Sequence, residues 1–384
     1  MHVQSFSVSY ECPVVFTRDA FDPQNPLLAD ILRRREPQKR HRATIFVDAG
    51  VRAAYPRLEA MIRRYAAAHR ETIEIVGDVV RVPGGEVAKN DPSVTQTLLS
   101  ALLERSVDRH SYALAIGGGA VLDAVGFAAA IFHRGVRLIR FPTTVLAQSD
   151  SGVGVKNAVN AFGLKNLLGT FVPPFAVIND GAFIDRLPAR ERRGGMAEAV
   201  KVALIRDRGF FAWIESRTAA LASFEPNSLD HLIKRCADLH MLQIAHGGDP
   251  FEAGSSRPLD FGHWSAHKLE VLTDHALSHG EAVAIGIALD ARYSVLAGLL
   301  KPGEDERIRR LLVALGFDLG SEALRLREPT GRLSILKGLR DFQEHLGGEL
   351  TVTLLGDIGT GVDVHAIDEG LVEKAIGWLA DGRA

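Results

Sequence analysis

Tyr112-Ala113-Leu114-Ala115-Ile116-Gly117-Gly118-Gly119-Ala120-Val121-Leu122-Asp123 runs from a short apolar segment through three glycines into a helical pattern. An apolar run of this length, bounded by glycine, reads as a buried strand, and the spacing over 121–132 reads as a helix. Missing side chains at a strand-to-helix turn let backbone N–H groups approach a phosphate at the helix N-terminus. A tight turn alone needs the same glycines, so the triplet by itself serves either reading.

Outward from this stretch the same rhythm repeats. Residues 43–47, 72–76 and 136–141 are strand-like, whereas 55–68 and 94–105 are helix-like. Alternation of this kind predicts a parallel sheet with crossover helices. Beyond about residue 179 the strand signals nearly vanish, and 196–205, 229–244, 264–272, 282–300 and 308–315 carry helical spacing. The expected fold is therefore α/β: a Rossmann-like parallel-sheet domain over residues 1–180, then a mostly α-helical domain over 181–384. Residues 349–355 predict a small hairpin or edge strand. Residues 21–42, with their Pro and Arg content, read as the longest loop, and 1–16 alternate polar with apolar residues as a strand does, not a signal peptide.

A chain of 384 residues is long enough for two cores. Lys plus Arg total 45 against 47 Asp plus Glu, so no global field favours nucleic acid or an anionic membrane. Cys12 and Cys236 are the only cysteines, too few for a disulfide framework, and the cytoplasm is the expected compartment. The most apolar stretch, 283–300, carries Asp290 and Arg292, which reads as a buried helix and not a membrane span.

Two features accompany the glycine triplet. Asp48 closes the strand-like Phe46-Val47-Asp48, where its carboxylate would accept hydrogen bonds from a ribose diol or would cap the next helix. Pro83-Gly84-Gly85-Glu86 follows another strand-like run. A metal set is dispersed: Glu198, His263 and His279 suit zinc or a similar divalent ion, although fourteen histidines make a chance trio easy to find. Lys156, Lys165, Asn166 and Lys201 form a basic and amide set. Lys201 shares a helix face with Glu198, where it would meet a phosphate beside the metal or form an ordinary surface ion pair.

Taken together and in order, these segments resemble 3-dehydroquinate synthase and its sugar phosphate cyclase relatives, from about Asp48 to Asp290. The resemblance rests on Gly117-Gly118-Gly119 with Asp123, Arg134-Gly135-Val136, Pro142-Thr143-Thr144, the stretch 150–156, Leu164-Lys165-Asn166, Gly195-Met196-Ala197-Glu198 with Lys201, Phe261-Gly262-His263 and His279-Gly280-Glu281. It implies that Glu198, His263 and His279 hold Zn2+ or Co2+. It also implies that Asp48, Glu86, Lys89, Gly118, Gly119, Asp123, Thr143, Thr144, Lys165, Phe183 and Arg186 surround NAD. Catalytic and substrate contacts would come from Asp150, Lys156, Asn166, Lys201, His267 and Asp260, with Arg134 reaching across a homodimer interface. In that family NAD transiently oxidises a secondary alcohol, phosphate leaves by elimination, hydride returns, and an aldol addition closes a carbocycle.

Departures from the family pattern bear on the substrate. Asp260 stands where typical 3-dehydroquinate synthases have Asn, and Ser256 where they have Arg. A late Lys of the family has no counterpart in 340–345. With those cations gone, the expected substrate is a phosphorylated sugar lacking a carboxylate; Asp260 before Phe261-Gly262-His263 resembles the 2-epi-5-epi-valiolone synthase-like cyclases that act on sedoheptulose 7-phosphate, which makes that sugar the first candidate, in cyclitol biosynthesis. The alternatives are a variant 3-dehydroquinate synthase whose carboxylate contact has moved to Arg257, a metal-dependent NAD polyol dehydrogenase, and an inactive relative acting as a scaffold.

Overall fold

Strands buried on both faces read as continuous apolar runs, and such strands assemble in parallel with helices on either side. The computed structural model, which describes residues 1–251, 256–345 and 348–381, shows this in the first of two compact units, Met1–Leu187 and Pro188–Ala384. The first unit holds β1 (Val14–Thr17), β2 (His41–Asp48), β3 (Ile73–Ile75), β4 (Val80–Val82), β5 (Tyr112–Gly117), β6 (Arg137–Pro142), the hairpin β7 (Lys156–Ala161) and β8 (Leu164–Phe171), and β9 (Ala176–Asp180). Among the described residues seven of these form one sheet, ordered β1-β9-β6-β5-β2-β3 with β4 also on β2. All its pairings are parallel.

Period two divides the core. Ile45, Val47, Tyr112, Leu114 and Ile116 face a cluster with Phe21, Leu28, Leu32 and Tyr65. Phe46, Ala113 and Ala115 face another with Leu98, Leu102, Val121 and Val125. The chain leaves β2 toward β3 and β4 on one side, whereas it leaves β5 toward β6 on the other. The order thus reverses between β2 and β5, and ligands of doubly wound sheets bind at the carboxyl ends of strands at such a point. Asp48 and Gly117 occupy those ends, and helix α1 (Gly119–Ile131) begins there.

Two local expectations change, and one hairpin is added. Residues 21–42 contain a helix, Leu27–Arg33, that buries Leu28, Ala29, Ile31 and Leu32. Its prolines hid it, yet Pro26 sits at the N-cap and Pro37 beyond the end, where proline does no harm. Of 1–16, only the part from Val14 pairs as a strand; Val3, Phe6 and Val8 are exposed. The β7–β8 hairpin gave no clear signal, because β8 is mostly solvent-exposed and lacks a buried face to impose alternation.

Among the described residues, the regular elements of the second unit are helical apart from the antiparallel hairpin β10 (Val352–Asp357) and β11 (Thr360–Val364). Its core is built on α2 (Ala189–Arg206), α3 (His263–Leu272) and α4 (His279–Leu296). No helix among the described residues is long and apolar enough to cross a membrane. Both α2 and α4 are buried nearly all round, and glycines set their spacing. A Cβ on Gly280 would collide with the Gly194 carbonyl oxygen and lie 2.5 Å from Gly194 Cα. One on Gly286 would collide with the Gly262 oxygen, and Gly262, at φ +78°, would meet Ile287 N at 2.8 Å. Asp290 completes the junction, accepting from Trp264 Nε1 at 2.9 Å and Gly262 N at 3.0 Å.

Gly280→Ala should therefore force α2 and α4 apart and destabilise the protein by about 1–3 kcal/mol or more in chemical denaturation. Gly377→Ala, in a helix with open space around it, should be neutral or stabilising by up to about 1 kcal/mol. Equal losses at the two positions would show that helix spacing is not the constraint. Burial pushes the Asp290 carboxyl up to about 7 in spite of its two donors. The folded chain then keeps this proton where the unfolded chain, with a pKa near ~4, has lost it. Stability from this group declines as pH rises from about 4 to about 7 and is level above. Asp290→Asn should flatten that part of the stability profile, measured by urea melts across the range.

Candidate active site

In the first unit, Asp48 turns back onto its own chain: Oδ1 accepts from Gly50 N at 2.7 Å and from Val51 N at 3.4 Å, capping the helix Ala49–Ala54. Glycine lets neighbouring strand ends close on it, since a Cβ on Gly84 would lie 2.9 Å from its Oδ1 and one on Gly117 3.1 Å from its Cβ. Gly118 caps α1 without a side chain, and a Cβ on Gly119 would meet Ser151 Oγ at 2.7 Å. Thr143 N donates to Gly117 O at 3.0 Å, and Thr144 Oγ1 accepts from Ala147 N at 3.1 Å. These are backbone-lined surroundings of the sort a pyrophosphate needs. Phe183 is buried, edge-on to Tyr55. Arg186 donates to Ala54 O at 2.8 Å and lies over the Tyr55 ring.

Beside this turn stands a polar network. Lys89, buried, donates from Nζ to Asp123 Oδ2 at 2.9 Å and to Asn166 Oδ1. Asn160 Nδ2 donates to Glu86 Oε2 at 3.0 Å and to Asn90 Oδ1 at 2.6 Å, and its Oδ1 accepts from Asn166 N at 2.8 Å. Lys165 Nζ lies 3.6 Å from Glu86 Oε1. The network fastens the hairpin tip to residues 86–90. Asn166 is thereby grouped with Lys89 and Asp123, whereas Lys156 stands at the far end of the ribbon, paired with Phe171. Asp150 lies in a single π-helical turn, Ala147–Ser151, a distortion common at functional sites. Fully buried Arg140 holds the segment that follows, donating to Gly152 O, Gly154 O, Lys156 O and Asn157 Oδ1 at 2.7–3.1 Å. Neither Arg140 nor Asn160 stood out in the sequence. Arg134 is exposed, in a turn where it and His133 both have positive φ.

The second unit brings Glu198, His263 and His279 together, with one donor atom from each within 4.8 Å of the others. Glu198 is 1% exposed, with His279 Nε2 at 3.2 Å and His263 Nε2 at 3.6 Å from its Oε1. The second ring nitrogens are engaged elsewhere: His263 Nδ1 with Phe261 O at 3.1 Å, and His279 Nδ1 with Glu270 Oε1 at 2.8 Å. A carbonyl can only accept, so His263 Nδ1 carries a proton, which leaves Nε2 as the nitrogen that faces Glu198. Lys201 Nζ lies 2.5 Å from Glu198 Oε2, but neither carboxylate oxygen has a partner in hydrogen-bonding geometry. Orphaned buried acceptors facing imidazole nitrogens are what a divalent ion would satisfy, so this donor set fits one.

The site balances charge within itself. Burial alone would raise the Glu198 pKa, but Lys201, His263 and His279 hold it well below the usual carboxylate range. Burial likewise opposes a charge on His279, and Glu198 with Glu270 outweighs it, raising the pKa to about 9. The Glu198–Lys201 pair is buried at both ends and is not a surface ion pair. His267, exposed, lies one turn along α3, its ring 5.3 Å from that of His263 and 5.9 Å from that of His279. Asp260 ends a 3-10 turn just before Phe261. Ser256 Oγ donates to Asp363 Oδ2 at 2.6 Å, and Thr353 Oγ1 donates to Asp363 Oδ1 at 2.8 Å. Asp363, on β11, and Glu270 went unnoticed in the sequence.

Known proteins share this architecture. The 3-dehydroquinate synthase N-terminal model matches residues 79–194 and the C-terminal model residues 195–334. The 3-dehydroquinate synthase of Acidithiobacillus ferrooxidans is 35% identical over 334 residues, covering 86% of this chain and 87% of that protein. That of Halorhodospira halophila is 38% identical over 291 residues, covering 73% and 80%. A solved structure of 2-epi-5-epi-valiolone synthase from Streptomyces hygroscopicus subsp. jinggangensis 5008, with NAD+ and Zn2+ bound, matches with a TM-score of 0.87 and 29% identity over 100% of both chains. A 2-deoxy-scyllo-inosose synthase complexed with carbaglucose-6-phosphate, NAD+ and Co2+ shares the fold, with a TM-score of 0.76 and 23% identity over 94% and 95% of the two chains. Matched through both of its units, the chain belongs to the 3-dehydroquinate synthase family and is a sugar phosphate cyclase, an enzyme that eliminates phosphate.

Proposed function

We propose that the enzyme binds NAD at the β2/β5 switch point and a divalent ion at Glu198, His263 and His279, and cyclises a phosphorylated sugar that has no carboxylate, sedoheptulose 7-phosphate being the first candidate. The observation that carries the reading is the buried convergence of Glu198, His263 and His279, with Lys201 against the carboxylate. The NAD and Zn2+ bound in the valiolone synthase structure support the cofactor pair. When bound, NAD would supply reversible hydride transfer and the ion a Lewis acid for the substrate alcohol.

The chain's own residues would hold and charge-balance the reacting sugar. Asp48 and the backbone of Gly118 and Gly119 would seat the dinucleotide, with Glu86, Lys89, Asp123, Thr143, Thr144, Lys165, Phe183 and Arg186 around them. Lys156, Asn166, Lys201 and His267 would supply cations and donors for the leaving phosphate and for enolate charge. Asp150 and Asp260 would accept from sugar hydroxyls, and Arg134 would act across a homodimer interface.

Substrate choice rests on the groups around Ser256. Asp363 accepts its hydroxyl, so this position pairs with an anion and offers no charge to a substrate carboxylate. A second carboxylate brought there would meet like charge. Arg257 is turned to the backbone, donating from Nη1 to Ser256 O at 3.1 Å.

Incubation with NAD, Zn2+ and sedoheptulose 7-phosphate should release stoichiometric phosphate with no net NADH. Accumulating NADH would instead mark a polyol dehydrogenase. Higher catalytic efficiency on a heptulosonate phosphate would make the protein a variant 3-dehydroquinate synthase. Lys201→Ala should lower turnover of the metal-loaded enzyme by at least about 100-fold, the scale of losing one preorganised charge-stabilising group. It should also destabilise the metal-free protein by about 3–5 kcal/mol, because Glu198 then loses the cation beside it. Near-normal turnover with a normal melting profile would remove Lys201 from the chemistry.

A further inference from the structure

An imidazole can offer Nε2 to a cation only when its proton sits on Nδ1, and nothing within the ring fixes that choice. For His263 a main-chain carbonyl fixes it. For His279 the partner is Glu270, at 2.8 Å and only 3% exposed. Glu270 lies on α3 seven residues after His263, two helical turns on and hence on the same face. One face of α3 therefore delivers His263 to the centre and places a carboxylate behind a second member of it.

Helix capping does not explain this carboxylate. The start of α4, where His279 sits, already has a capping box of Ser278 and Glu281. His267, Glu270 and His279 also bring donor atoms within 4.8 Å of one another. A second ion there would need the same Nδ1 that faces Glu270, and so would strip His279 of both ring protons.

We infer that Glu270 is a positioning residue of the metal centre, holding His279 as its Nδ1–H tautomer and adding negative charge behind the ring. The inference rests on the assignment of Glu198, His263 and His279 as ligands. Carboxylate partners of this kind typically contribute about 10–100-fold in metal affinity.

The test is Zn2+ affinity of metal-free enzyme, by competition with a chromophoric chelator, for wild type, Glu270→Ala, Glu270→Gln, His279→Ala and the double variant Glu270→Ala/His279→Ala. One ion per chain is expected, bound about 10–100-fold more weakly by Glu270→Ala. Glu270→Gln should lose less, because an amide oxygen still accepts from Nδ1–H without the charge. The double variant should bind no more weakly than His279→Ala, since Glu270 acts through His279. Unchanged affinity in Glu270→Ala beside a weak His279→Ala overturns this inference alone, as do additive losses in the double variant or two ions per chain. Undiminished affinity in His279→Ala overturns the ligand assignment itself. If Glu270→Ala does not fold, near-isosteric Glu270→Gln carries the comparison, and wild-type affinity there overturns the inference.

Discussion

Backbone pressed against backbone is the constraint on which the proposed metal centre depends. Gly280 lies on Gly194 and Gly286 on Gly262, closer than any side chain allows. Glu198 lies four residues past Gly194, His279 immediately before Gly280, and His263 immediately after Gly262. The short carboxylate and the two imidazoles meet because the helices carrying them have nothing between them at these crossings. The left-handed φ of Gly262 turns the chain into α3 at the point where His263 must enter.

Charge follows from that closeness. A carboxylate as buried as Glu198 is costly unless cations surround it, and Lys201 with the two histidines lowers its pKa in spite of burial. Asp290 shows the opposite case a short way along α4: two neutral donors do not offset burial, and its carboxyl stays protonated to about pH 7. Two buried acids on adjoining helices thus differ by the company of charge, and only the one among cations is suited to hold an ion.

What could be read from the residues depended on burial. Strands β2, β5 and β6 were legible because they run apolar through a buried sheet, as β5 does throughout, whereas the equally buried β9 went unread; the helices after residue 188 showed their period. The hairpin at 156–171 was not, since it stands largely in solvent. Local reasoning on Asp48 left capping and ribose binding open, and the capping bonds are present at Oδ1. Positions 198, 263 and 279 share no local spacing, so chemistry alone left them a possible accident of composition; resemblance grouped them, and the helix crossings bring them together. Glu270 carried a signal that went unused, a seven-residue step from His263 along one helix. Arg140 and Asn160 carried none, because their partners, backbone groups, side-chain amides and the Glu86 carboxylate, are assembled only in the folded chain.

The glycine crossings also divide the molecule into parts that tolerate change unequally. At Gly280, Gly286 and Gly262 the smallest addition, one methyl group, meets main-chain atoms that cannot yield. Adjustment there is all or nothing, and the arrangement of Glu198, His263 and His279 is inherited whole. Ser256 and Asp363 lie near the surface and are joined to each other by one hydroxyl bond, so replacing Ser256 disturbs little of the core. Under the proposed function, a lineage built on this scaffold would explore new sugars through such peripheral pairs while its chemistry stays locked, and diversification would be channelled to the surface.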